Sequence, residues 1–237
     1  MNQSTSFDIE VENITFALQI ICMLSLSIGS DSKGNVIFKS LPELRNLFVS
    51  YLEDDQIINI FKMLLENGND IIGRVLLITK EDNLIDLSSF NNHETYIYNN
   101  PEIGSIKKKN LLFSQIIKVQ KKGIGKDVNI KITLVLIDDM WQFYPKFTSK
   151  NAINNFRQLL EYGYLFNIHF VVGSILPYRN LFVQLMRSDT LGGNKNIVSS
   201  IGAELIYSPD ELIFFREVIT EKQEIYYPIK PEEIVVQ

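Results

Sequence analysis

Two acidic residues at the end of an apolar run carry the plainest chemical signal in this sequence. Ile130-Lys-Ile-Thr-Leu-Val-Leu-Ile137 leads directly into Asp138 and Asp139. A buried strand that ends in two carboxylates sets them at its C-terminal edge, where open α/β sheets bind their ligands. The first acid of such a pair can hold the magnesium of a nucleotide through its waters, and the second can orient an attacking water. Acidic residues also commonly end a strand and open a loop without doing chemistry.

A second segment could supply the phosphate side of that chemistry. Leu24-Ser-Leu-Ser-Ile28 runs into Gly29-Ser30-Asp-Ser-Lys-Gly34-Asn35-Val36. Two glycines five apart after a buried strand match the spacing of a GxxxxGK[ST] loop, whose backbone N–H groups wrap a phosphate. Asn35 stands where that loop has its lysine, and Val36, which has no oxygen for a metal, stands where it has a hydroxyl. Losing the charged hydrogen bond alone costs about 1.5–3 kcal/mol of phosphate affinity. The same residues also read as a hairpin turn with Val36-Ile-Phe38 as the return strand. Ser40-Leu-Pro-Glu43 is then a capping box, about five residues too late for a phosphate loop. Both readings stand at the level of these residues.

Other side chains exclude more than they suggest. One cysteine, Cys22, rules out a disulfide framework, and His93 and His169 form no Cys/His set for zinc. His169, inside an apolar strand pattern, reads as a core histidine. The net charge of -5 argues against a domain that grips nucleic acid by bulk charge. Lys107, Lys108, Lys109, Lys118, Lys121, Lys122 and Lys126 flank an apolar helical face and read as its solvated side. The apolar stretch Ile14 to Ile28 is too short and too interrupted for a membrane span, and acids rather than bases precede it. Trp141, Phe143 and Tyr144 directly follow the acid pair, so they are expected in a loop at the ligand-binding edge, where exposed aromatics suit a protein partner.

The elements that must position these residues are strands alternating with helices. Apolar runs predict strands at Met23–Ile28, Val75–Ile78, Thr95–Tyr98, Ile130–Ile137 and Ile168–Val172. Helical spacing is expected over Leu41–Tyr51, Gln56–Glu66 and Lys108–Lys121, on the face Ala152, Ile153, Phe156, Leu159, Leu160 with Gly163 as terminator, and at Tyr178–Met186. This alternation predicts an α/β fold with a mostly parallel sheet and helices on both faces. The tail differs: Ala203–Tyr207, Glu211–Val218 and Gln223–Tyr227 predict an antiparallel C-terminal edge hairpin. Leu24–Ile28 is expected in the same sheet as the later strands, with Gly29 and Asp138 at one edge. No repeat or linker divides the 237 residues, so residues 1–237 read as a single domain.

In this order and spacing, the two segments resemble the motor domains of the FtsK/SpoIIIE/HerA branch of P-loop ATPases. Asn155 to Ser174, with Ile-His-Phe-Val-Val-Gly173-Ser174, resembles that branch's "G-I-H-L-I-L-A-T-Q" strand, and Ile201-Gly-Ala-Glu-Leu-Ile resembles its closing "G-A-E-x-L-L" segment. Within the branch, the sequence is most similar to the last ATPase-like domain of EssC-type type VII secretion ATPases. The resemblance implies a RecA-like fold and cytoplasmic placement as part of a larger membrane-anchored protein. It also implies neighbouring ATPase domains and secreted proteins as partners. It maps the Walker A position onto Gly29, Ser30, Gly34 and Asn35, the Walker B position onto Asp138 and Asp139, and the sensor onto Gly173-Ser174-Ile175.

All three catalytic positions depart from the pattern together. The expectation is therefore a degenerate, non-catalytic domain with no required cofactor and at most weak binding of ATP and magnesium. The competing expectations are an active ATPase in which Lys33 or Lys39 replaces the missing lysine, and a Rossmann-like domain whose Asp138 and Asp139 bind a metal for another hydrolysis.

Overall fold

The computed structural model describes residues 24–68, 70–79, 94–99, 131–139, 159–175, 202–217 and 222–229. The expected helices over 108–121 and 178–186, and all but the end of the one over 152–160, lie outside them.

Strands β1 (Ser25–Ser30) and β2 (Val36–Ser40) form an antiparallel hairpin, which is a separate two-stranded sheet. This corrects the expectation that Leu24–Ile28 joins the parallel sheet. The turn closes because Asp31 organises it: its carboxylate accepts from the backbone N–H of Lys33 at 2.8 Å and of Asn35 at 2.9 Å, and from the Asn35 amide at 2.9 Å. Gly34 takes φ 84 there, in a region glycine enters freely.

The single helical turn α1 (Leu41–Leu44) has Pro42 in its first turn and stops at Arg45, where φ is 65. The chain then extends as β3 (Leu47–Tyr51), all five residues buried. The helix expected over Leu41–Tyr51 is thus one turn followed by a strand. Leu41, Leu44, Leu47, Phe48 and Tyr51 have helical spacing, but a strand covered on both faces carries the same apolar content, and periodicity cannot separate the two. Tertiary contacts decide: Asn46 accepts from the Phe170 N–H at 3.0 Å, donates to the Leu160 carbonyl at 2.9 Å, and its own carbonyl accepts from Ala203 N–H at 3.1 Å.

Helix α2 (Asp54–Asn67) shows the amphipathic pattern directly, burying Ile57, Ile58, Ile60, Phe61, Leu64 and Leu65. The remaining described strands are β4 (Ile72–Thr79), β5 (Glu94–Asn99), β6 (Ile132–Ile137), β7 (Ile168–Ile175), β8 (Ala203–Tyr207), β9 (Ile213–Glu217) and β10 (Gln223–Tyr226). A 3-10 turn, Gly163–Phe166, ends at the left-handed Asn167 and feeds β7. Among the described residues the main sheet has eight strands in the order β10-β9-β8-β3-β7-β6-β4-β5. The pairs from β8 through to β5 are parallel, and β8–β9 and β9–β10 are antiparallel.

One sheet face packs under α2 and the hairpin: Leu26, Ile28, Phe61 and Leu64 meet Val49, Leu134, Leu136, Val171, Leu205 and Phe215. On the opposite face Phe48, Val135, Phe170 and Val172 are buried as well. The hairpin is fastened to the antiparallel end. Ser30 and Tyr227 exchange backbone hydrogen bonds of 2.8 and 2.9 Å, and Lys39 pairs with Glu217 and Glu224 at 3.5 and 3.2 Å while lying over the Phe215 ring.

Candidate functional site

Parallel strands aligned this way present one carboxyl edge, and β3 and β7, which are neighbours, send the chain in opposite directions: β3 toward β4, β7 toward β8. A crevice outside such a reversal is where open α/β sheets bind ligands. Four elements meet there: the ends of β3, β4, β6 and β7.

Asp138 and Asp139 stand at that edge, immediately after β6, and both are buried. Thr79, the last residue of β4, donates its hydroxyl to Asp138 Oδ2 at 2.7 Å, and Asp138 N–H donates to the Ile78 carbonyl at 3.1 Å. The carboxylate is therefore held by the neighbouring strand.

Tyr51, the last residue of β3, has no exposed surface. Its ring lies against Gly173 of β7: a Cβ placed on that glycine would strike the Asp138 carbonyl oxygen and come 2.9 Å from Tyr51 Cε1 and 3.0 Å from Ile57 Cγ1. The space over β7, between the ends of β3 and β6, is occupied by the protein's own side chains. Burial and the neighbouring charges of Asp139, Asp54 and Asp138 push the Tyr51 phenol far above its ordinary value, so it stays neutral. Among the described residues the hydroxyl has no hydrogen-bond partner of good geometry, although Asp54 is close enough to raise the phenol as an acceptor.

The step from β3 to α2 takes only Leu52 and Glu53. A GxxxxGK loop needs more chain than this to circle a phosphate. The amino terminus of α2, which would face that phosphate, is closed by Gln56. The Gln56 N–H donates to the Glu53 backbone carbonyl at 3.1 Å, and Gln56 Oε1 accepts from the N–H groups of Glu53 and Leu52 at 3.3 and 2.9 Å. Asp54 and Asp55 follow in the first turn, favourable for the helix dipole and repulsive to a polyphosphate.

Gly29, Ser30, Gly34 and Asn35 do not reach this edge crevice. The strand-to-helix loop expected of them is not formed, because Asp31 folds the segment into a hairpin and the next helical turn begins only at Leu41. Gly29 sits against Tyr226, at the far end of the sheet. From β10 to β6 there are five strand spacings, about 24 Å at roughly 4.8 Å each. Lys33 lies in the same turn, and Lys39 is taken up by Glu217 and Glu224. Gly173 and Ser174 are on β7 beside β3. His169 lies toward the other end of β7, where its Nδ1 meets the Arg45 carbonyl at 2.7 Å and burial lowers its pKa.

Trp141, Phe143 and Tyr144 lie outside the described residues. Among the described residues no group of three or more His, Cys, Asp or Glu is arranged to hold a metal ion. Nor is any described helix long and apolar enough to cross a membrane. The site residues that the sequence reading passed over are Tyr51 and the run Glu53-Asp54-Asp55-Gln56. Their signal was present, since an acid followed three residues later by Gln before an amphipathic run is a helix-start pattern.

No family model matches the sequence, and no curated protein does. Solved structures do match in fold. The cytoplasmic domain of EssC superposes with a TM-score of 0.57 at 11% identity, over 87% of this chain and 44% of that one. ATPases 2 and 3 of Thermomonospora curvata EccC, solved with a signal sequence peptide, give 0.61 at 10% identity, over 87% and 41%. The conjugation coupling protein TcpA of pCW3, solved as a monomer with ATPγS, gives 0.54 at 9% identity, over 89% and 68%. The chain spans less than half the length of the EssC and EccC chains it matches. The sheet order and these superpositions together give the chain the α/β fold of the ATPase domains of EssC and of the type VII secretion ATPase EccC.

Proposed function

We propose that this chain is a non-catalytic FtsK-like ATPase domain of a type VII protein secretion motor, serving assembly and the recruitment of secreted proteins. The observation that carries the reading is the β3–α2 junction. It is two residues long, closed by Gln56, and backed by the buried ring of Tyr51 where a nucleotide's phosphates would need room. Catalysis of phosphoryl transfer rests on positioning and charge stabilisation. An acidic edge with no phosphate loop supplies neither.

The domain keeps the architecture that packs against similar domains. Its fold neighbours include proteins with tandem ATPases, so neighbouring ATPase domains of a membrane-anchored motor, on its cytoplasmic side, are the first partners of this reading. Thermomonospora curvata EccC was solved with a signal sequence peptide, which supports secreted proteins as the second. In this reading residues 1–237 act as one unit and Trp141, Phe143 and Tyr144 contribute to the partner surface. Substituting Trp141 and Phe143 by Ala then weakens capture of the partner ATPase domains without lowering the melting temperature.

Calorimetric titration of the purified chain with ATP and magnesium tests the central claim. The expected result is no saturable heat and no hydrolysis above background. Saturable binding with turnover that Asp139→Ala abolishes would establish the opposite reading, an active ATPase with atypical motifs. The ion pairs that hold Lys39 at the far end of the sheet count against that alternative.

A further inference from the structure

We infer that the outer edge of β10 seats a strand from this chain's own amino-terminal segment, residues 7–12, which extends the main sheet. This holds whether or not the domain binds nucleotide. The Glu217 N–H donates to the Lys222 carbonyl at 2.9 Å, so Lys222, Glu224 and Tyr226 turn their backbone groups to β9 while Gln223, Ile225 and Tyr227 turn theirs away. Tyr227 already pairs outward, because Ser30 takes both of its groups. The outward groups of Gln223 and Ile225 have no partner among the described residues. An open edge of this kind is a template for an added strand.

On the sheet face away from the hairpin the same edge is apolar. Ile225 is 55% exposed, its cross-strand neighbour Phe214 38% and Tyr227 45%. A strand beside β10 covers this shelf with every second side chain, and the apolar area removed from water stabilises the pairing.

Residues 7–12 carry the matching pattern. Phe7, Ile9 and Val11 alternate with Asp8, Glu10 and Glu12, the period of a strand with one apolar and one charged face. The faces decide the register, since a slip of one residue would lay carboxylates on Ile225 and Phe214. The segment also reaches. The described chain resumes at Leu24, and β1 carries it from Ser25 to Ser30, already on this edge, a length of about 17 Å at roughly 3.4 Å per residue. Residues 13–24, extended, span up to about 40 Å. A segment tethered so closely pairs at an effective concentration in the millimolar range, well ahead of a strand from a separate molecule.

Disulfide scanning on the full chain tests the placement. In a Cys22→Ser background, Gln223→Cys is combined in turn with Phe7→Cys, Ile9→Cys and Val11→Cys, and then with Asp8→Cys, Glu10→Cys and Glu12→Cys. Mild oxidation gives an intramolecular disulfide in the first set, with one position dominant, and little in the second, because a paired strand sends alternate side chains to opposite faces. Equal yields from both sets, or none from either, overturn the inference. Disulfide-linked dimers in place of the intramolecular bond overturn it too, and give the edge to a second copy.

Amide exchange reads the same pairing without cysteines. The N–H groups of Gln223 and Ile225 exchange about 2- to 12-fold faster in the Ile9→Asp, Val11→Asp double variant than in the unmodified chain, the factor that one net backbone hydrogen bond supplies. The Phe215 N–H, which bonds within the sheet, is unchanged. Equal exchange at Gln223 and Ile225 in the two proteins shows an edge left open and overturns the inference.

Discussion

Gly173→Ala probes whether the crevice is as closed as Tyr51 makes it. The added methyl has no free direction. It meets the Asp138 carbonyl oxygen, which belongs to the peptide joining the two acids just after β6, and it lies within 3.0 Å of both the Tyr51 ring and Ile57. Flexible side-chain ends could step aside, but a backbone carbonyl held next to the parallel ladder cannot. Overpacking of a tight core costs about 1–3 kcal/mol, and the backbone contact puts this case at the upper end, about 2–3 kcal/mol. At about 2–4 °C per kcal/mol for a chain of this length, the melting temperature drops by roughly 4–12 °C. Thermal unfolding followed by circular dichroism measures it. Adding Tyr51→Leu removes one of the three contacts, so the cost of Gly173→Ala in that background shrinks by roughly 1 kcal/mol, a coupling of the size expected for touching residues. If Gly173→Ala melts with the parent protein, or if the two substitutions are additive, the ring does not pack on β7 and the crevice is open.

Asn46→Ala removes two buried hydrogen bonds at once and strands the Leu160 carbonyl and the Phe170 N–H. A loss of about 2–4 kcal/mol follows, read by urea denaturation, and Asn46→Asp recovers little because it can accept but not donate. Glu224 is pushed down from 4.5 to about 2, first by Lys222, then by the Tyr226 hydroxyl and Lys39. A depressed carboxylate contributes its stability fully above the unfolded value and loses it as the pH falls from about 4.5 toward 2. Glu224→Gln therefore flattens the acid limb of a stability–pH curve over that interval, and an unchanged limb refutes the role of the Lys39–Glu224–Lys222 cluster. Gly29→Ala places a Cβ 2.8 Å from Tyr226 Cβ and 2.9 Å from the Tyr227 carbonyl at φ 151, so the hairpin detaches from β10 and amide exchange at Ser30 and Tyr227 accelerates.

Much of the architecture is legible in single segments. Val75–Ile78, Ile132–Ile137 and Ile168–Val172 are apolar without alternation, which only a strand buried on both faces tolerates, and each is a strand. The three tail strands are separated by turn residues and pair antiparallel at the edge, as their spacing predicts. The acid pair lies at the carboxyl end of β6 because a strand's last residue fixes where the next side chains emerge. Leu47–Tyr51 is the instructive failure. Its apolar residues sit at helical spacing with the preceding leucines, and no local feature opposes a helix. The strand wins because β7 and β8 offer parallel partners on both sides and Asn46 is tied to Leu160, Phe170 and Ala203.

The misplacement of the phosphate loop has the same origin. Gly29 and Gly34 have the right spacing, yet spacing does not say which strand stands in the middle of the sheet. The sequence by itself determined the α/β class, the antiparallel tail, the acid pair at a strand end and the absence of a phosphate-binding lysine at the glycine-rich segment, since each follows from residue type and local period. That β3 is the strand beside β7, and that Tyr51 closes the crevice over Gly173, came from the tertiary structure alone. Those facts depend on pairing between residues more than a hundred positions apart, and no local pattern encodes which of several apolar runs will take the central place.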